Sequence, residues 1–167
     1  MSIIVYKSSV FIHVLSAMFW LGGMLFTALV IVPAFRDKIL AEHRGHFFAT
    51  MGHIFSKISW TLFIILIITG YIQLLARGYV WDDLISYKFW HSRFGYNFAH
   101  KMVFFIIMLI VSILHDLWLG PYTTKLMNEE PDSTQTQKYR KITSWVGRIN
   151  LILGLLIVYY AISLVRG

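Results

Sequence analysis

From Ser8 to Phe35 the chain carries no Asp, Glu, Lys or Arg. A run of that length exceeds the roughly 20 residues a helix needs to cross the hydrocarbon core of a bilayer. In that solvent every backbone N–H and C=O must be bonded within the protein, so the run must be helical. It reads as a retained first span rather than a cleaved signal, because no small-residue cleavage site closes a short apolar core. Three further apolar stretches follow at about residues 55–75, 98–119 and 145–165, with Lys57 at the edge of the second, Lys101 and Asp116 in the third and Arg148 in the fourth. The expectation is an all-α integral membrane four-helix bundle, up-down-up-down, forming one domain over residues 1–167. Packing against neighbours must help hold the charged third and fourth spans in lipid.

Composition narrows the chemistry. With 57% hydrophobic and 14% charged residues, the chain has more apolar surface than a soluble domain of its size could bury. The absence of cysteine excludes disulfides, iron–sulfur clusters, thiolate zinc sites and covalent c-type haem, leaving imidazole, thioether and oxygen ligands. The net charge of +7 comes from residues between the apolar runs, where they meet lipid headgroups; it is not a nucleic-acid surface. Nine Lys and Arg fall in the first and third connections (Arg36, Lys38, Arg44, Lys57, Lys125, Lys138, Arg140, Lys141, Arg148), against six elsewhere (Lys7, Arg77, Lys88, Arg93, Lys101, Arg166). The positive-inside rule then puts both termini outside the cytoplasm of a bacterial-type inner membrane. The third connection, NEEPDSTQTQ from Asn128 to Gln137, reads as a flexible cytoplasmic loop. Between spans two and three, Trp81, Tyr87, Phe89 and Trp90 lie among charges, as in a segment resting in the membrane interface.

Seven histidines in so apolar a chain are the chemical signal. Counting along antiparallel spans puts His13 and His100 at the outer level, and His53 and His115 at the inner one. His100 and His115 are fifteen residues apart, roughly 22 Å of rise and about 60° of rotation, so they project to broadly one face. Imidazoles paired at two levels of a four-helix bundle suit two b-type haems, one above the other, with His13/His100 as outer and His53/His115 as inner axial ligands. His46 competes with His53 if the second helix extends that far, His43 reads as a loop residue and His91 as an interfacial one. Lys101 could reach a haem propionate or a quinone oxygen, or snorkel to the headgroups. Arg93 and Arg148 are propionate candidates at the outer and inner levels, or headgroup anchors. Asp116, directly after His115, should point elsewhere on a regular helix. Gly22, Gly23, Gly70 and Gly154 read as packing positions that could also admit a macrocycle, and the methionines as core filler.

Two stretches carry a family likeness. FIHVLSAMFWLGGMLF, Phe11 to Phe26, resembles the opening helix of CopD-like copper-resistance domains. FAHKMVFFIIMLIVSILHDLWLG, Phe98 to Gly120, resembles both those domains and HemJ-type protoporphyrinogen oxidases. The resemblance implies a small four-span protein binding b-type haem, with His13 and Lys101 as the counterparts of the oxidases' early histidine and lysine. The inner pair, His53 and His115, favours a transmembrane electron route. The leading expectation is therefore a di-haem b-type cytochrome passing electrons between a quinone or quinol pool and a redox protein, with substrate chemistry near Trp81, Trp90, His91 and Arg93. The alternatives are a one-haem HemJ-like oxidase, a CopD-like copper transporter and an assembly factor. A homodimer is a candidate assembly, since four helices around two macrocycles leave little internal contact.

Overall fold

The computed structural model describes residues 2–41 and 43–166, with only the backbone described at Lys38, Ala41 and Arg166. The Lys38 and Arg166 charges counted above, and the ends of the 1–167 domain, thus lie outside the described side chains and residues. Four helices are long and apolar enough to cross a membrane: Ile3–Ala34, Arg44–Ala76, Arg93–Glu129 and Thr134–Val165. Each runs well past the apolar stretch that betrays it in the sequence. Hydropathy marks the part that meets lipid, whereas nothing obliges the helix to stop where the lipid does. Isoleucines and leucines stand exposed along all four, forming the surface turned to lipid.

The first and second spanning helices form one antiparallel hairpin and the third and fourth another. The hairpins meet where Trp20 packs over Gly154, at which an added Cβ would fall 2.9 Å from the indole. One residue from each helix, Trp20, Phe63, Met108 and Leu153, closes a central layer. Trp20 and Phe105 both meet Phe63 edge-on, at centroid distances of 5.3 and 6.2 Å. The end of the bundle holding the termini and second connection is called outer below, the other inner.

Two interruptions share a cause. Thr27–Ile31 and His115–Leu119 are wide π turns, the N–H of Val32 reaching Thr27 and that of Gly120 reaching His115. Each lies just before a proline, Pro33 or Pro121. A proline ring clashes with the carbonyl four residues earlier, and an added residue in the turn moves that carbonyl aside.

The third connection is not a flexible loop. Helix resumes at Thr134, so only residues 130–133 are non-helical. Pro131 stops the incoming helix, while Ser133 caps the outgoing one by accepting the Thr136 N–H at 3.1 Å. Thr136, fully buried, donates its hydroxyl to the Glu130 carbonyl at 2.6 Å. Polar composition here encodes a tight helical turn.

The second connection begins at Gly78, whose φ of 85° suits glycine, and continues in two short helices, Trp81–Ile85 and Tyr87–Trp90. Phe89 is buried among Tyr79, Trp90, Phe94 and Phe98, and Tyr79 stacks on Phe94 at 4.8 Å. This aromatic cluster docks the connection on the start of the third spanning helix. Gly95 is the tight point, because a Cβ there would run into the Phe89 carbonyl oxygen, whereas one at Gly147 meets nothing within 4 Å. Gly95→Ala is expected to lower thermal stability in detergent by about 1–3 kcal/mol, and Gly147→Ala to leave it unchanged or raise it. Circular-dichroism melting of both variants checks this; a wild-type midpoint for Gly95→Ala would contradict the close approach.

Candidate functional site: two polar levels in the bundle

The central layer serves as a datum. His13 lies seven residues, about 10 Å, to the outer side of Trp20, and His100 eight residues, about 12 Å, to the outer side of Met108. On the inner side His115 is seven residues, about 10 Å, beyond Met108, and His53 ten residues, about 15 Å, before Phe63.

At the outer level His13 shares a helix face with buried Ser9, Ser16 and Trp20. Its Nδ1 is 2.8 Å from the Thr69 hydroxyl. That hydroxyl donates to the Ile65 carbonyl at 2.6 Å, so toward His13 it must accept. The proton therefore sits on Nδ1, and Nε2 keeps its lone pair. Ser9 completes the clamp by donating to the Thr69 carbonyl at 3.0 Å. Gly70 lies beside the ring, where an added Cβ would be in ordinary contact with its Cε1 at 3.5 Å.

His100 faces the fourth helix rather than the first. Its ring stacks on Tyr160 at 5.0 Å with a 15° interplanar angle, and its Nδ1 donates to the Tyr96 carbonyl at 2.8 Å. Nε2 is again the nitrogen left to act as a ligand. Lys101, one residue on, belongs to the stripe that continues through Phe105, Met108 and Ser112 into the core. It is half-buried on that core-facing stripe. The third helix thus presents Lys101 toward His13 and His100 toward Tyr160. Gln73, one turn outward of Thr69, has a buried Nε2 with no hydrogen-bond partner.

At the inner level the organiser is Asp116. Its Oδ1 accepts from His115 Nδ1 at 2.9 Å, and its Oδ2 accepts from the Ser56 hydroxyl and from Trp60 Nε1, the latter at 3.0 Å. The expectation that Asp116 points away from His115 is therefore corrected. Both residues sit at the start of the π turn before Pro121, outside the regular helical geometry behind that expectation, and the carboxylate is drawn toward the second helix by two donors. His53 is exposed, on the same face as Ser56 and Trp60 by its spacing of three and seven residues. Nearby in the core, Asn150 donates to Ser112 at 3.1 Å while its Oδ1 stays unpartnered.

The remaining candidates stand apart from these interior groups. Arg93 is exposed at the start of the third helix, and Arg148 is exposed with its guanidinium 4.9 Å from the Trp145 ring centre. His43 precedes the second helix, which does extend to include His46, and both are exposed. His91 stacks on Tyr87 at 3.7 Å, with Nδ1 on that residue's carbonyl. Sequence reasoning passed over Thr69, Gln73, Ser56 and Trp60. Ser56 and Trp60 at i, i+4 facing a carboxylate in a spanning helix was the available signal.

Among the described residues no three or more His, Asp or Glu gather into a metal-binding group. A haem iron asks for less, since the macrocycle fills the equatorial positions and the protein gives axial nitrogens. His13, His100 and His115 each have Nδ1 engaged, the arrangement that orients a ligating imidazole through Nε2. Of the four expected ligands, His13 is held at Thr69, His100 lies against Tyr160, His115 is held at Asp116 and His53 is exposed, so the structure brings neither expected pair ring to ring.

Residues 15–132 match the family model described as "Domain of unknown function (DUF4149)". An uncharacterized protein of Aquifex aeolicus (strain VF5) is 33% identical over 157 residues, covering 94% of this chain and 93% of that protein. No solved structure matches.

The number of donors left without an acceptor should rank the costs of disrupting the two levels. Thr69→Val strands the His13 Nδ1–H alone and should cost about 1 kcal/mol, whereas Asp116→Ala strands His115, Ser56 and Trp60 and should cost about 2–4 kcal/mol. Detergent denaturation of both variants measures the order, and equal losses would contradict it.

Proposed function

The chain belongs to the DUF4149 family, and from the geometry of this member we propose an integral membrane di-haem b-type cytochrome that passes electrons between quinone or quinol and a redox protein. The observation that supports the reading is the state of three imidazoles: His13, His100 and His115 each have Nδ1 in a hydrogen bond, which leaves Nε2 to a ligand. His13 and His100 would hold the outer haem, His53 and His115 the inner. When bound, haem supplies one-electron redox chemistry; the rest falls to the chain. The layer of Trp20, Phe63, Met108 and Leu153 keeps water out between the two levels. Lys101 places a cation inside the outer half, where it would neutralise a propionate, and the orphaned Gln73 amide offers a second donor. Arg93 and Arg148 would serve propionates or headgroups from the surface. The aromatic connection around Trp81, Trp90, His91 and Arg93 would receive the quinone head at the interface. The membrane would be a bacterial-type inner membrane, with both termini outside the cytoplasm.

One observation favours a second reading. Lys101 lies on the core-facing stripe of the third helix with Phe105, Met108 and Ser112, whereas the His100 ring lies against Tyr160. A His13–Lys101 site with a single haem would be the arrangement of a HemJ-like protoporphyrinogen oxidase, a family the third span resembles.

A reduced-minus-oxidised spectrum of the protein purified after haem-replete expression, with haem extraction for stoichiometry, separates these readings. Two b-type haems per chain are expected, with His100→Ala removing the outer signal and sparing the inner. One haem that survives His100→Ala but not His13→Ala would favour the oxidase, and a colourless protein would overturn both.

A further inference from the structure

The basic residues at the inner end are not alike. Arg36, Lys57, Lys125, Lys138, Lys141 and Arg148 are exposed, whereas Arg44 and Arg140 are half-buried. Arg140 lies on the face of the fourth helix that meets the third, four residues after fully buried Thr136 and three before Thr143, whose hydroxyl is 2.9 Å from that of Thr123. Arg44 opens the second helix and turns back over the Phe48 ring, its guanidinium 5.8 Å from the ring centre. Phe48 in turn packs on buried Phe35. The end of the third helix touches both places: a Cβ added at Gly45, next to Arg44, would fall 2.7 Å from the Met127 methyl, and Tyr122 packs on Tyr139, next to Arg140. The two arginine charges act on each other. Among the described residues neither has a carboxylate at ion-pair distance, the pairs present being His115–Asp116 and Lys125–Glu129.

Depth says what could lie between them. Trp20, Phe63, Met108 and Leu153 each stand within about two residues of the middle of their apolar stretch, so the central layer marks the bilayer midplane. Arg140 is thirteen residues, about 20 Å, from Leu153 toward the inner end, and Phe48, which carries the Arg44 guanidinium, is fifteen residues, about 22 Å, from Phe63. The hydrocarbon ends roughly 15 Å from the midplane and the headgroups roughly 20–22 Å from it. We propose that Arg44 and Arg140 form a phosphate-binding site at the inner end of the bundle, filled by the headgroup of an anionic phospholipid. Two half-buried guanidiniums without a counter-charge repel each other. One phosphodiester between them turns that repulsion into two charge-assisted contacts, for which the planar guanidinium fork matches a pair of phosphate oxygens. The exposed lysines around the site attract the same lipids by charge alone and hold none in a fixed place.

The experiment is a titration of the delipidated full chain in neutral detergent with phosphatidylglycerol, with phosphatidylcholine and with inorganic phosphate, followed by native mass spectrometry and by the melting midpoint. Phosphatidylglycerol is expected to stay bound and to raise the midpoint more than phosphatidylcholine does. Arg44→Gln and Arg140→Gln should each weaken its binding about tenfold, and exposed Lys141→Gln should leave it unchanged. Without lipid the sign reverses: removing either guanidinium relieves the repulsion, so both variants should melt no lower than wild type. A merely structural role for either arginine would lower the midpoint with and without lipid, and that result would overturn the site. Stabilisation by inorganic phosphate alone, lost in both variants, would keep the site and overturn the lipid as its occupant. Equal weakening by Lys141→Gln, or equal binding of the two lipids to wild type, would reduce the pair to part of a diffuse basic surface and overturn the inference.

Discussion

Every polar group described in the bundle takes its place from one apolar contact, the layer in which Trp20, Phe63, Met108 and Leu153 meet. Lipid gives helices no hydrophobic reason to associate, so association depends on close packing and a few interhelical hydrogen bonds. The layer provides the packing, with Gly154 admitting the Trp20 ring, and the hydrogen bonds lie on either side of it. Because the layer fixes the helices' register, a histidine seven residues from Trp20 and another eight residues from Met108 come out at similar depth without touching each other.

The polar levels are built differently. The outer one spreads over all four helices: His13 on the first, Thr69 and Gln73 on the second, Lys101 and His100 on the third, Tyr160 on the fourth. The inner one is gathered on a single carboxylate, which ties the third helix to the second. A spread site leaves room for a ligand to choose among donors, whereas a gathered one fixes one ligand's orientation. Lys101 and His100 accordingly leave the third helix on different faces, while His115 is held in one orientation by Asp116.

Much of this was legible in the sequence because hydropathy and charge act over long windows. The four spans, their alternation and the depth of each histidine follow from counting. What did not follow was local. Helix ends do not follow from the spans, since Arg44 to Phe55 and Gly120 to Glu129 are helical beyond the stretches their hydropathy marks. The stretch after Asn128 looked like a loop because Ser, Thr and Gln suit loops, yet the same hydroxyls at Ser133 and Thr136 cap and brace a turn. The rule for regular helices that turns Asp116 away from His115 does not hold where Pro121 makes the helix irregular. In each case side-chain hydrogen bonding or proline geometry decided the outcome, and neither leaves a periodic trace.

The wide turns carry a structural echo. In the first and third spanning helices alike, a histidine near the outer end is followed about twenty residues later by a proline with a π turn just before it. Each of these helices then pairs chiefly with its successor, so the bundle consists of two leaves of similar plan joined along the line where Trp20 rests on Gly154. A closed book of this kind has one weak plane. Parting the leaves would leave each one's internal bonds in place and would break the Ser56 and Trp60 bonds to Asp116, the polar clasp that holds the covers shut.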